Sequence, residues 1–342
     1  MTVLVTGGAG FIGSNLVLAL LATGEEVRVF DREMGGALHL ARRGAELYEG
    51  DILDRHGLRT ALEGCDCLFH VAALFEMWHP DRTSYYSVNV DGTRSVLECA
   101  CDAQIGKVVY TSSAVTIGET NGAIGDEQTV HRGYFLSEYE RSKYLAEKAA
   151  LSMCQEGLPV VVVNPTSVYG PGQTTHLTGA VISFLDGGLP MVVDAQLNFV
   201  FVDDVVNGCL AAMEKGASGQ RYILGGQNSS LAEFLSLAAE IAGVARRPRQ
   251  APRSVVHAAA LILDTISKAT RRRPWVSMAE ARTASHSFHF DTSKARQELG
   301  LKPTPLRAGL EQTVAWIHGV RAPGGARRQE TFQRMDADWG RS

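Results

Sequence analysis

The sequence predicts an α/β fold built around a doubly wound parallel sheet, and three observations carry that expectation. A glycine loop, Thr6-Gly7-Gly8-Ala9-Gly10-Phe11-Ile12-Gly13, opens directly out of an apolar strand. Short apolar and β-branched runs then alternate with amphipathic stretches. Each of those stretches is long enough to form the crossover helix that a parallel pair of strands requires.

Strands are expected at residues 3–6, 27–30, 47–49, 67–71, 108–111 and 160–164. Their largely unbroken apolar character suits a sheet covered on both sides. Helices are expected at 14–21, 55–62, 91–103 and 137–155, and right-handed crossovers through them wind the sheet in both directions. After Gly170-Pro171-Gly172 the rhythm loosens, leaving a helix at 178–186 and strands at 198–202 and 221–224. The expected organisation is a Rossmann-type domain over residues 1–170, to which the chain returns at 197–226, with a smaller interleaved substrate region over 171–318. From Gly319 to Ser342, Gly, Arg and Gln outweigh apolar residues, which predicts a flexible tail.

Composition sets the broad class. With 342 residues, 45% apolar and 20% charged, the chain can bury a large core. A net charge of -4 and the lack of a long Lys/Arg run argue against a nucleic-acid partner. Met1 leads straight into Thr2-Val3-Leu4-Val5 without a basic segment before a hydrophobic one, so no secretory signal is expected and the cytoplasm is the expected compartment. Cys65, Cys67, Cys99, Cys101, Cys154 and Cys209 fall in apolar or helical patterns with no histidines at ligand spacing, so reduced thiols and no metal site are expected. The stretch 255–266 is interrupted by His257 and Asp264 and is too short to span a bilayer. As a helix over 255–269 followed by Arg271-Arg272-Arg273, it has three readings: a lid, a contact with a membrane surface, or a packed helix with cations at its C-terminal end.

The glycine loop fits G-x-G-x-x-G from Gly8 and the wider G-x-x-G-x-x-G from Gly7. Between a first strand and a first helix the backbone must turn tightly and let N–H groups approach a pyrophosphate, and side chains would obstruct it. Asp31 ends the second strand 18 residues beyond Gly13, where a carboxylate accepts hydrogen bonds from a ribose 2′-hydroxyl and favours NAD. Arg32 follows it and suits a 2′-phosphate, which keeps NADP open. Asp51 and Ile52, after the third strand, are placed to border the adenine, with a turn or capping role as the other reading of Asp51.

Tyr139 and Lys143 stand one helical turn apart. A phenol that titrates near ~10 needs help to exchange a proton at neutral pH, and Lys143 shares its helix face, where it can favour the phenolate and reach the nicotinamide ribose. A third donor should sit where a substrate oxygen gains charge. Tyr110-Thr111-Ser112-Ser113 ends the fifth strand at the expected crevice; Ser113 is the first choice and Ser112 the second.

Together these motifs resemble the extended short-chain dehydrogenase/reductase family, along with Gly50-Asp51-Ile52, His70-Val71-Ala72-Ala73, Asn89-Val90-Asp91-Gly92-Thr93 and Asn164-Pro165-Thr166-Ser167-Val168-Tyr169-Gly170-Pro171-Gly172, over roughly residues 1–317. The nearest look is to dihydroflavonol-reductase-like and hopanoid-associated members, through Phe69 to Ala73, Trp78-His79-Pro80-Asp81 and Arg221-Tyr222-Ile223-Leu224-Gly225-Gly226. Members related to 3β-hydroxysteroid dehydrogenases are further away. The resemblance implies a catalytic set of Ser113, Tyr139 and Lys143, with Asn89 in support. It implies cofactor contacts from Gly7, Gly10, Phe11, Ile12, Gly13, Asp31, Arg32, Asp51, Ile52, Val71, Ala72, Ala73, Asn89, Tyr139, Lys143, Pro165 and Val168. It also implies a homodimer formed by the helices at 91–103 and 137–155.

One departure bears on substrate. Relatives acting on nucleotide sugars often carry an Arg-Asp before the strand that precedes Val-Asp-Asp, whereas this chain reads Leu197-Asn198-Phe199-Val200-Phe201-Val202-Asp203-Asp204. The basic-glycine-acid turn of such enzymes is also missing over 282–290. A buried diphosphate without cations is costly to desolvate, so an uncharged, largely apolar carbonyl or alcohol is expected. Phe75 and Trp78 are the expected apolar contacts beside Ser113 and Tyr139; Leu74, Met77 and Phe184 are further candidates, and core packing is the alternative for all five apolar residues. Two other functions are weighed: an NAD-dependent sugar epimerase that passes through a transient ketone, and a dinucleotide-sensing protein without chemistry. Intact Ser113, Tyr139 and Lys143 argue against the second.

Overall fold

The computed structural model describes residues 1–118, 122–189, 191–193 and 195–321. Its strands in chain order are β1 (Thr2–Thr6), β2 (Glu26–Asp31), β3 (Glu46–Glu49), β4 (Cys67–His70), β5 (Lys107–Thr111), β6 (Val160–Pro165), β7 (Ser167–Tyr169), β8 (Met191–Val192), β9 (Gln196–Phe201), β10 (Arg221–Leu224), β11 (Gln227–Ser230), β12 (Arg249–Gln250) and β13 (Ser287–Phe288). Seven of them form a parallel sheet in the order β10-β6-β5-β4-β1-β2-β3. The strand order reverses between β1 and β4, and a ligand crevice in such a sheet opens beyond the C-terminal ends of those two strands.

The unbroken apolar strands are explained by the two layers they fill. In β1, Val3 and Val5 enter one core cluster while Leu4 enters the other; in β6, Val161 and Val163 face the first and Val160 and Val162 the second. Successive side chains point to opposite faces, so both must be apolar when helices cover both. The helix Phe11–Ala22 and the helix Val202–Lys215 cover one face; Arg55–Leu62, Thr93–Asp102 and Glu138–Gln155 cover the other.

A second, four-stranded sheet joins β11, β9, β13 and β7, and β8 pairs with β12. Its core is aromatic: Phe199 stacks on Phe234 with centroids 4.3 Å apart, and Tyr169, Phe184 and Leu310 close around them. Phe184 is thus a core residue and not a pocket wall, which corrects one apolar candidate. The first helix starts at Phe11, three residues earlier than its periodicity suggests, because the loop glycines lead directly into it. The helix expected at 91–103 is entered through a π-helical turn, Ser87–Gly92, before regular helix runs over Thr93–Asp102. At the C-terminus, the helix Leu306–Arg321 carries residues 319–321, which corrects the start of the expected tail; residues 322–342 lie outside the described residues.

Candidate active site

The loop after β1 leaves no space for side chains at two of its glycines. A Cβ on Gly13 would lie 2.1 Å from the Gly7 carbonyl oxygen and 2.8 Å from Gly8 Cα. Gly7 has φ +71, and a Cβ there would sit 2.5 Å from the Ala72 backbone nitrogen, where the chain leaves β4. The first intrahelical bond runs from Ser14 N–H to the Gly10 carbonyl, so the N–H groups of Phe11, Ile12 and Gly13 precede the hydrogen-bonded ladder. No acidic residue occupies the first turn. Free N–H groups and the positive end of the helix dipole together fit a pyrophosphate.

A crevice of about 2020 Å³ runs from this loop across the sheet ends. Gly7, Gly10, Phe11, Ile12, Gly13, Asp31, Arg32, Asp51, Ile52, Val71, Ala72, Ala73, Pro165 and Val168 all line it, as do Ser112, Ser113, Tyr139 and Lys143. Asp31 accepts hydrogen bonds from Ala9 N–H (3.0 Å) and Arg32 N–H (2.8 Å), so it ties the glycine loop to the end of β2. Burial raises its pKa, opposed by those backbone donors and by the Arg32 charge. Asp51 accepts from Leu53 N–H (2.9 Å) and so makes the turn that was its second reading, while still lining the crevice.

Tyr139 and Lys143 are 4% and 2% exposed. Ser113 Oγ accepts from Val115 N–H (3.4 Å) at the N-terminus of a short 3-10 turn, and its side chain lines the same crevice wall as the Tyr139 phenol. Lys143 Nζ donates to the Thr111 carbonyl (3.0 Å) and lies 4.9 Å from the Tyr110 ring centroid. Sequence reasoning expects the ammonium to pull the phenol pKa down. In the structure burial dominates instead: it pushes Tyr139 up to about 12, with Ser113 opposing, and pushes Lys143 down to about 7, with Glu147 opposing. The ammonium is spent on the strand-end carbonyl, and the phenol holds its proton.

Asn89, expected among the cofactor contacts, does not line the crevice. It is 1% exposed, accepts from Leu74 N–H (2.7 Å), and donates to the Leu74 carbonyl (3.2 Å) and to Ser142 Oγ (2.8 Å). Ser142 in turn donates to the Tyr139 carbonyl (2.8 Å). Asn89 therefore braces the Tyr139–Lys143 turn against the loop after β4. The π-helical turn around it supplies the local widening that such insertions bring near functional sites.

Sequence reasoning missed four participants. Glu147, one turn beyond Lys143, accepts from Thr116 Oγ1 (2.8 Å), Asn164 Nδ2 (2.7 Å) and Arg221 (2.9 Å). Asn164 also donates to the Ser113 carbonyl (3.1 Å), which links this network to the reactive hydroxyls. His176 carries an unusual positive φ of 50, lines the crevice, and lies 4.4 Å from the Phe75 ring. Burial pushes it down to about 4, so it is neutral at physiological pH. Gln173, also on the wall, has its Oε1 buried without a partner, as does the hydroxyl of Ser112. The i+4 spacing of Lys143 and Glu147 was a legible signal; nothing in the sequence singles out Gln173 or His176.

Phe75 is 44% exposed and sets its ring edge-on to Tyr139 at 5.1 Å, between that phenol and His176. Leu74, Met77 and Trp78 join it on the wall. Among the described residues no group of three or more His, Cys, Asp and Glu gathers to hold a metal ion, and all six cysteines are free thiols.

The fold and the crevice define an NAD-dependent enzyme of the short-chain dehydrogenase/reductase type. Residues 3–225 match the NAD dependent epimerase/dehydratase family, and the chain belongs to that family. It is 36% identical to sterol demethylase protein B of Methylococcus capsulatus over 322 residues, covering 93% of this chain and 98% of that one. It is 34% identical to a Mycobacterium tuberculosis 3 beta-hydroxysteroid dehydrogenase/Delta 5-->4-isomerase over 238 residues, 65% of this chain and 64% of that one. Among solved structures, that of gox2253 superposes with a TM-score of 0.81 at 33% identity, covering 93% of this chain and 98% of that one.

Proposed function

We propose that the protein interconverts a carbonyl and an alcohol on a largely apolar small molecule, with NAD as redox partner. The carrying observation is that Ser113 and the buried Tyr139 and Lys143 share one wall of the crevice that begins at the glycine loop. The loop N–H groups would hold the pyrophosphate and Lys143 the nicotinamide ribose, and the bound dinucleotide supplies or accepts hydride at the substrate carbon. In the reducing direction Tyr139 delivers its proton to the substrate oxygen as the carbon gains hydride, and Ser113 donates to that oxygen as charge builds on it. Asn89, through Ser142, fixes where the phenol stands.

Phe75, Trp78 and the neighbouring Leu74 and Met77 make the proposed substrate wall, within a substrate region over 171–318 and the loop after β4. The relatives named for sterols and hydroxysteroids support an apolar substrate. The test is stoichiometric NADH consumption with a panel of apolar ketones. A sugar epimerase is the second reading, favoured by Arg271, Arg272 and Arg273 along the crevice rim, where a diphosphate would find cations. Conversion of a nucleotide sugar without net NADH turnover would establish it in place of our reading.

Asp31 supports NAD over NADP, because its carboxylate lines the crevice and would repel a 2′-phosphate. NADH is expected to support turnover better than NADPH, and Asp31→Asn should narrow the gap; equal kcat/KM for both in the unaltered protein would contradict this. A pH profile supplies another expected result. Lys143 is charged below about 7 and loses its proton as pH rises through that value, whereas Tyr139 stays protonated to about 12. Carbonyl-reduction kcat/KM, which reports the free enzyme, should therefore be highest below about 7 and decline above it, and Lys143→Arg should shift the decline to higher pH. A profile level from pH 6 to 9 would count against a role for the ammonium.

We further propose a cytoplasmic homodimer joined by the helices Thr93–Asp102 and Glu138–Gln155. Light scattering should give twice the chain mass, and a monomer would contradict it.

A further inference from the structure

The helix Arg253–Thr270 wears its apolar face outward. Its inner side packs on the helix Met278–Ala284, with Ala260 and Ser267 buried. On its outer side Val255, Leu261, Ile262 and Ile266 are 58%, 61%, 62% and 53% exposed, and Ala258 and Ala269 are exposed beside them. Ser254 and Thr265 complete that face. At 100° per residue these eight positions span an arc of roughly 140°. Charge gathers beyond the helix end instead: Arg271, Arg272 and Arg273 are all exposed, followed by Trp275 at 73%.

A helix on a water-facing surface normally points polar residues outward, so an exposed apolar stripe rimmed by cations marks a surface that meets something. The arginines and tryptophan choose the occupant. Arginine complements anionic headgroups, and tryptophan settles at headgroup depth. A second copy of the chain fits poorly: an 18-residue helix is about 27 Å long and about 10 Å wide, so its face offers roughly 270 Å² against the ~800 Å² per partner of a stable interface. A lipid surface sets no such threshold. No described helix is long and apolar enough to cross a membrane, so this one can only lie along it.

We propose that the helix Arg253–Thr270 rests in the headgroup layer of an anionic bilayer, with Arg271–Arg273 on the lipid phosphates. The same arginines and Trp275 line the crevice, so its mouth would open against the lipid, where an apolar molecule could enter without crossing water. The inference concerns lipid contact and stands whether or not the hydride-transfer reading holds.

Sedimentation of the full chain with phosphatidylcholine vesicles, with and without phosphatidylglycerol, tests it. The protein should pellet with the anionic vesicles and be released by high salt. Ile262→Glu with Ile266→Glu should weaken the partition by roughly tenfold or more, and Arg271→Gln with Arg272→Gln by roughly fivefold per arginine. Both isoleucines point outward, so the first variant should bind NADH and melt as the unaltered protein does. No anionic partition, equal partition onto neutral vesicles, or partition indifferent to the isoleucine change would overturn the proposal. So would a light-scattering mass that halves in the isoleucine variant, since that assigns the face to a second copy.

Discussion

Tyr139→Phe is expected to lower kcat/KM for carbonyl reduction by about 10²–10⁴-fold, the range over which a positioned proton donor contributes. The change removes one oxygen and leaves the ring's surroundings in place: Leu74 and Tyr85 still pack against it, and the Phe75 edge contact survives. The Ser113 hydroxyl keeps its contact with Val115 N–H. Dinucleotide affinity and melting temperature should therefore stay close to those of the unaltered protein, which separates a chemical role from a structural one. Lys143→Met is a less clean probe, because it also strips the Thr111 carbonyl of its donor at the end of β5. Near-normal turnover by Tyr139→Phe would remove the phenol from the mechanism and leave the crevice a binding site.

What the sequence made legible follows from physical range. β1 to β6 and their crossover helices are specified by local periodicity, and the glycine loop by steric exclusion at Gly7 and Gly13, so both could be read residue by residue. The strands of the second sheet were harder. Gln227-Asn228-Ser229-Ser230 has no apolar alternation, and β11 exists because β9 lends it hydrogen-bonding partners from Gln196–Phe199, far back along the chain. Asn89 and Asp51 were recognised as site positions through a shared motif, but a motif does not say which atoms a side chain spends on its own backbone. Asn89 spends its amide on Leu74 and Ser142; Asp51 makes a turn. The pKa order of the Tyr139–Lys143 pair was invisible for a related reason. Spacing alone suggests a charge beside a phenol, whereas burial of both groups, a tertiary effect, decides where each proton sits.

Glu147 is a residue whose loss should cost heavily in stability. It is 3% exposed and receives three donors from three different elements: Thr116 after β5, Asn164 on β6 and Arg221 on β10. In Glu147→Gln one oxygen still accepts, but the new amide group faces donors, and the Arg221 guanidinium, only 20% exposed, loses its counter-charge. Breaking a pair of this kind is expected to cost about 3 kcal/mol, the low end for buried pairs because Arg221 keeps some water. For a chain of this size that corresponds to a fall in Tm of roughly 5–10 °C. Since Asn164 also holds the Ser113 carbonyl, kcat should fall with it while NADH binding at the distant glycine loop is kept. The matched control is Glu98→Gln, which breaks the exposed pair with Arg55 and should leave the melting temperature nearly unchanged. If the two variants melt within a degree of each other, the Glu147 network does not fasten the helix Glu138–Gln155 to the sheet, and the fixed geometry of Ser113 must come from β5 alone.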